Sequence, residues 1–246
     1  MIKVEGLRKS FRGQEVLKGV DLEVATGSIA VVIGRSGGGK SVFLKHLLGL
    51  IRPDAGHILV DGEDLTALSG AAFDRVRQRY GVVFQGGALF DSLTCADNVA
   101  FPLRERLRLP KAQVTARVAR ALAQVGLEGV ERKYPAEISG GMRKRVAIAR
   151  ALVTAPEIIF FDEPTTGLDP ILVNTIHRLI LDLHRQSRFT AVVVSHEIPE
   201  IFEIADMVAM LSDGRIAEAG PPAAIQGSAN PVVRQFIHGE PEARSH

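Results

Sequence analysis

The stretch that most limits what this chain can fold into is residues 34–41, Gly-Arg-Ser-Gly-Gly-Gly-Lys-Ser. It fits G-x-x-x-x-G-K-[ST], and its context fits as well. Ser28-Ile29-Ala30-Val31-Val32-Ile33 reads as a buried strand, and Val42-Phe43-Leu44-Lys45-His46-Leu47-Leu48 as the helix that follows. Strand, glycine loop and helix in register form a cradle for phosphate. Gly34, Gly37, Gly38 and Gly39 let the chain curl so that backbone N–H groups from Gly34 through Arg35, Ser36 and Lys40 to Val42 point at phosphate oxygens. The helix N-terminus adds its partial positive charge. Lys40 is placed to reach the β- and γ-phosphates, and the Ser41 hydroxyl to hold Mg²⁺.

The rest of the chain supplies an α/β frame for that loop. With 246 residues, it can bury a full core as one large domain or two small ones. Residues 1–33 alternate short apolar runs with turns at Arg12-Gly13 and Thr26-Gly27, which predicts antiparallel strands. Tyr80–Gln85 reads as a core strand ending at Gln85. From Asp97 to Ala155 the spacing is helical, with Val114, Val118, Ala121, Leu122 and Val125 on one face. Strand–helix alternation returns at Pro156. Glu157–Phe161 and Phe189–Val194 are near-continuous apolar runs of the kind found in buried parallel strands. The expected organisation is a core of about 1–87 and 156–225, a helical insertion of about 88–155, and a polar tail from about 226.

Composition narrows the partners. The net charge of +2, the absence of Trp and the presence of two Tyr argue against nucleic acid. No apolar run approaches the roughly 18 residues that span a bilayer. Met1–Glu5 reads as an amphipathic strand rather than a signal peptide. The single cysteine, Cys95, excludes an intrachain disulfide and reads as a packing residue. The basic run Arg104, Arg106, Arg108, Lys111, Arg117 and Arg120 reads as a solvated helix face rather than a lipid-headgroup site.

Three further motifs carry chemistry. Asp162-Glu163 follow the apolar strand 158–161, expected beside the phosphate-loop strand. Asp162 can bind Mg²⁺ through water, and Glu163 can orient or deprotonate an attacking water. Ser139-Gly140-Gly141 open a helix, with Ser139 as its N-cap and the glycines exposing N–H groups to a phosphate brought by a second chain. Gln85 and His196 each end a strand, at the sheet edge where ligands of α/β folds bind. The other six histidines, His46, His57, His177, His184, His238 and His246, read as structural.

With these elements in this order, the chain resembles the ATP-binding subunit of an ABC transporter over nearly its whole length. The resemblance implies an ABC ATPase type fold: an α/β P-loop NTPase (RecA-like) core with an N-terminal antiparallel β subdomain and a helical insertion. It implies ATP and Mg²⁺ as cofactors. Gly34–Ser41 then match Walker A, Gln85 the Q-loop, Ser139-Gly140-Gly141 the signature and Asp162 Walker B. Glu163 matches the catalytic carboxylate, Asp169 the D-loop and His196 the switch histidine, and Phe11 the aromatic residue that stacks on adenine. Gln85 also falls among the Mg²⁺ ligands. Val42 stands where Thr is common, and Met142 where the signature has Gln.

Ile138–Arg145 and the run from Phe84 through Leu93 to Leu103 look in particular like the Mla/Mce-associated lipid-transport ATPases. That likeness implies a homodimer of ATPase subunits, a membrane permease, and further subunits including a periplasmic lipid-binding protein. It places the complex at the cytoplasmic face of the bacterial inner membrane. In such transporters a permease helix docks near the segment after Gln85, where Ala88, Leu89, Phe90 and Leu93 are unusually apolar and read equally as a partner surface or as packing between the helical insertion and the core. An ATPase for another solute, and a soluble ABC-type switch acting on DNA or ribosomes, remain as alternatives. Switches usually carry two cassettes or a long coiled coil, and this chain has one P-loop and no sustained heptads.

Overall fold

The computed structural model describes residues 1–107 and 109–239. The chain divides into two compact units, Met1–Asp74 with Thr190–His246, and Arg75–Phe189.

The first unit holds an antiparallel sheet and a mostly parallel one. In the antiparallel sheet, β1 (Ile2–Phe11) and β2 (Gln14–Val24) are joined by the turn Arg12-Gly13. β4 (Ala55–Val60) pairs with the other edge of β1, and β5 (Glu63–Asp64) with β4, giving the order β2-β1-β4-β5. Met1–Glu5 is the amphipathic strand expected: Ile2 and Val4 are buried and their neighbours are not.

β3 (Ile29–Ile33) does not join that sheet, contrary to the antiparallel reading of 1–33. It runs parallel to β8 (Thr190–Ser195), with Ile29 opposite Ala191 and Ile33 opposite Ser195. On its other side it runs parallel to β9 (Met207–Ser212). β10 (Arg215–Gly220) closes this group as an antiparallel hairpin on β9. The reason is in the sequence: every residue of β3 and β8 is buried, so each face of each strand needs a cover. An edge strand of a half-solvated antiparallel sheet offers none. Because β8 and β9 take both sides of β3, the strand that carries Asp162 is not its neighbour, as the sequence reading had it. α1 (Lys40–Leu47) follows the phosphate loop and stops at Leu48-Gly49, where Gly49 takes φ 61°. α7 (Pro222–Gln226) and α8 (Pro231–His238) follow β10. The expected polar tail thus contains a helix, capped by Asn230 and seated on the buried Val233, and only residues 240–246 of it lie outside the described residues.

In the second unit, β6 (Tyr80–Val83) and β7 (Ile158–Asp162) are parallel, with Tyr80 opposite Ile158. α2 (Gly70–Gln78) leads into β6 across the boundary of the two units. β6 ends at Val83, so Gln85 sits in the turn after the strand rather than at its last position. The helical pattern resolves into α3 (Cys95–Arg106), α4 (Lys111–Gln124) and α5 (Gly140–Leu152), with α6 (Pro170–Ser187) after β7. Val114, Val118, Ala121 and Leu122 form the buried stripe of α4, and Val125 is buried just beyond it. Cys95 is fully buried, and burial pushes its thiol pKa up, as befits a packing residue. In the basic run, Arg104 pairs with Asp97 at 2.8 Å and Lys111, Arg117 and Arg120 are exposed. Arg106 instead turns back to donate to the Tyr80 carbonyl at 3.1 Å, and Arg108 lies outside the described residues.

Candidate functional site

The phosphate loop is held open by neighbouring main chain. Gly34, the first residue after β3, takes φ 155°, and a Cβ there would lie 2.2 Å from the Leu211 carbonyl oxygen of β9. Gly39 takes φ 98°, and a Cβ there would lie 3.3 Å from the Val16 carbonyl oxygen of β2. Only glycine suits either place. Gly39 is also the N-cap of α1, and it brings no side chain to the first-turn N–H groups. No acidic residue stands in that first turn. An uncapped, positively polarised helix end with no carboxylate beside it is suited to an anion.

Lys40 is the main electrostatic feature of the loop. It is 4% exposed, and its Nζ donates to the carbonyls of Gly34 at 2.8 Å and Arg35 at 2.9 Å. A buried ammonium needs such partners, and here they come from the loop that it closes. Arg35, Ser36, Gly37 and Ser41 are exposed around it, and Gly38 and Val42 are half-buried. The Val42 carbonyl accepts from, or in the other tautomer faces, His46 Nδ1 at 2.7 Å. Phe11, at the end of β1, is 41% exposed. Lys9 Nζ stands 5.5 Å from its ring centroid and is itself held by Asp54 at 2.7 Å. An exposed ring backed by a fixed cation is a ready stacking platform. His196 directly follows β8 and is exposed.

The second unit gathers the other candidates. Asp162 is the last residue of β7 and is half-buried. Glu163 follows it at φ 46°, a left-handed conformation that a non-glycine residue adopts only under constraint. Its Oε2 accepts from Gln85 Nε2 at 3.0 Å and from Thr166 Oγ1 at 3.0 Å. The fold therefore brings Gln85 and Glu163 together from positions 78 residues apart in sequence. Ser139 caps α5, its Oγ accepting from the Met142 N–H at 3.2 Å. Gly141 is buried with Leu172 of α6 3.4 Å from where a Cβ would be. Asp169 caps α6, its carboxylate accepting from the N–H groups of Ile171 and Leu172 at 3.0 Å each.

Among the described residues no group of three or more His, Cys, Asp and Glu forms an all-protein metal cage. The donors at Ser41, Gln85 and Asp162 are oxygens of a hydroxyl, an amide and a carboxylate. Oxygen donors of these kinds are what Mg²⁺ takes, alongside several waters and phosphate oxygens. Sequence reasoning passed over Thr166, Asn98, Lys144 and Arg150. Thr166 stands three residues after the carboxylate it orients, a spacing that could have drawn notice. The other three act through main-chain carbonyls, Asn98 on the loop just before its helix and Lys144 and Arg150 on a distant turn, and a sequence carries no mark for either.

A glycine-lined phosphate loop on a parallel strand, with an Asp-Glu pair ending another, defines a P-loop nucleotide triphosphatase. The comparisons place it further. The family described as ABC transporter matches residues 17–166. The chain is 44% identical over 238 residues to a protein of Mycobacterium leprae named as a probable ribonucleotide transport ATP-binding protein, covering 97% of this chain and 69% of that one. It is 42% identical over 224 residues to the Escherichia coli K12 intermembrane phospholipid transport system ATP-binding protein MlaF, covering 91% of this chain and 83% of that one. Among solved structures, the dimeric cassette MJ0796 in a post-hydrolysis state bound to ADP and Pi superposes with TM-score 0.82 at 30% identity, covering 90% of this chain and 99% of that one. The cassette cbiO1 of Clostridium perfringens superposes with TM-score 0.85 at 29% identity, covering 97% and 94%. The chain belongs to the ABC transporter family and is an ATP-binding, ATP-hydrolysing subunit of it.

Proposed function

We propose that this subunit binds ATP with Mg²⁺ and drives a permease that moves phospholipid between bacterial membranes. The observation that carries the catalytic half is the Glu163 carboxylate, held at φ 46° and oriented on one oxygen by Gln85 and Thr166. A carboxylate fixed in this way is suited to align a water and take its proton. Lys40 and the N–H groups of residues 34–42 hold the phosphates, and Phe11 takes the adenine ring. Ser41, Asp162 and Gln85 offer oxygens to Mg²⁺. His196 contacts the γ-phosphate region. The metal, when bound, neutralises charge that develops on the phosphates. Ser139, Gly140, Gly141 and Asp169 serve the nucleotide of a second copy, so that two chains enclose two nucleotides head to tail.

Phospholipid as the cargo is supported by the 42% identity to MlaF and by the run Phe84–Leu103. A nucleotide-type cargo is the second reading, because the mycobacterial relatives carry a ribonucleotide transport name at 44% identity. Residues of about 88–155 form the subdomain that meets the permease, and the subunit sits peripherally on the cytoplasmic face of the inner membrane. No described helix is long and apolar enough to cross a membrane, so the permease supplies the span. A periplasmic lipid-binding protein completes the system. Purifying the chain with its native partners in mild detergent tests the proposal. A permease carrying bound phospholipid is expected, and a permease with bound ribonucleotide and no lipid would shift the cargo to the second reading.

A further inference from the structure

The turn after Gln85 is fastened to α5 at both ends through its main chain. Lys144 Nζ donates to the carbonyl of Gln85 itself. Arg150 forks over the other end: Nη2 donates to the Gly87 carbonyl and Nη1 to the Ala88 carbonyl, each at 2.6 Å. Gly87 and Ala88 are both left-handed, at φ 76° and 46°. Two successive residues in that region turn their carbonyls onto a path that a single planar guanidinium can bridge. Between the two cations, Ala147 of α5 lies against Gly87, 3.5 Å from where a Cβ would be. Lys144, Ala147 and Arg150 recur every third residue along α5 and so line one side of it. Lys144 is 8% exposed, and burial lowers the pKa of Arg150. A buried ammonium and a half-buried guanidinium are costly unless they do what these do, which is to satisfy carbonyls that have left secondary structure.

Gln85 is therefore held twice. Its carbonyl belongs to α5, through Lys144, and its side chain belongs to Glu163, through Nε2. α5 starts at Ser139-Gly140-Gly141. We infer that Lys144 and Arg150 are positioning residues for the Glu163 carboxylate: they lock the Gln85–Ala88 main chain to α5, so that the place of α5 sets the Gln85 amide on Glu163. A shift of the helix that opens at Ser139 is then carried to the carboxylate through one turn of chain. This inference rests on the proposed role of Glu163 as base, and it assigns to α5 the task of aligning that base.

The test uses the full chain, first without nucleotide. Peptide-resolved hydrogen exchange is measured for the wild type, Lys144→Met, Arg150→Lys and Lys144→Arg. Exchange in a peptide spanning 84–93 is expected to quicken about tenfold in Lys144→Met, while 158–161 stays protected. Arg150→Lys keeps the charge but cannot fork, and is expected to loosen 87–90 in a chain that still folds. Lys144→Arg restores protection. In steady-state hydrolysis, Lys144→Met is expected to lower kcat about tenfold with KM within about threefold of wild type. Added to Gln85→Ala, the same substitution is expected to cost less than about twofold more, because both act through one amide. Unchanged exchange in 84–93, or losses that multiply fully in the double variant, overturns the inference. Normal turnover in Glu163→Gln would instead sink the base assignment, and the exchange result would still decide whether α5 anchors the turn.

Discussion

Two single residues divide the chemistry in a way that kinetics can separate. Lys40 is wrapped by the loop it serves, with its ammonium on the Gly34 and Arg35 carbonyls. Lys40→Ala removes the charge proposed to answer the β- and γ-phosphates, so nucleotide affinity is expected to fall roughly 10-fold or more. Glu163→Gln keeps the shape and a hydrogen-bonding carbonyl for Gln85 and Thr166 but loses the proposed base. Turnover is expected to fall roughly 100-fold or more with binding retained, and nucleotide-bound dimers are expected to accumulate. Equilibrium binding alongside single-turnover hydrolysis distinguishes the pair. His46, on α1, makes a prediction in pH. Burial lowers its pKa below the ordinary 6.5 against the opposing Val42 carbonyl; nearby Lys9 lowers it further, and Asp54 and the Arg52 carbonyl raise it by less. The folded state therefore favours the neutral ring. Its contribution to stability is whole above pH 6.5 and is lost as pH falls through the depressed folded value. Below pH 6.5 the loss has a slope of at most about 1.4 kcal/mol per pH unit. Thermal melts between pH 7.5 and 5.5 are expected to fall less steeply for His46→Gln than for wild type. An equal slope would show that the folded ring takes up its proton as readily as the unfolded one.

Among the elements, the loop from Phe90 to Thr94 shows how a segment with no regular structure becomes a surface. Asn98 of α3 is fully buried beneath it. Its amide nitrogen donates to the carbonyls of Phe90, Leu93 and Thr94 at 3.0–3.1 Å, and its oxygen accepts from the Phe90 N–H at 2.8 Å. With the backbone settled in this way, the Phe90 ring is left 44% exposed, tilted against Phe101 at 4.8 Å. Leu89 is half-buried and Leu93 likewise. Phe90 thus stands outward while its backbone is fixed, which favours a partner-facing role over core packing. Phe90→Glu is expected to abolish co-purification with the permease while nucleotide affinity stays within about twofold of wild type. Asn98→Ala leaves three carbonyls and an N–H without their partner and is expected to cost roughly 2–4 kcal/mol of stability by denaturant unfolding. Loss of nucleotide binding in Phe90→Glu would return that ring to the core.

For the assembled molecule, the decisive question is whether Ser139 serves the nucleotide of its own chain or of a second one. Ser139 and Phe11 are exposed, and Ile171, directly after the cap Asp169 and its proline, is 79% exposed. A large aliphatic side chain so open beside a helix N-terminus fits a surface that a second copy covers. Mixing Lys40→Ala chains with Ser139→Arg chains makes heterodimers with one intact composite site and one doubly damaged one. Their ATPase activity is expected to exceed that of either homodimer. Heterodimers that form and stay inactive would count against head-to-tail pairing.

Much of this protein was legible in its sequence because the chemistry of phosphate binding is local. Gly34–Ser41, the helix that follows and the uncapped start of that helix lie within residues 34–47, and their pattern of glycines, lysine and apolar positions is set by short-range sterics and hydrogen bonds. The same holds for Ser139 and Asp169, whose cap bonds reach two or three residues. The alternation in Met1–Glu5 and the solid apolar runs of β7 and β8 told faces from interiors for the same reason. What sequence could not rank was strand partnership. β3 reads as one more strand of an N-terminal meander, yet it pairs with β8 and β9, from the other end of the chain. Burial on both faces decides that, and burial depends on every other element. Nor could sequence show that Gln85, Thr166 and Glu163 meet, that Asn98 ties down the Phe90 loop, or that Lys144 and Arg150 hold a turn some sixty residues away in sequence. The contacts of Asn98, Lys144 and Arg150 run through main-chain carbonyls, which every residue has. Only the folded chain chooses which of them are left without a sheet or helix partner and must be met by a side chain.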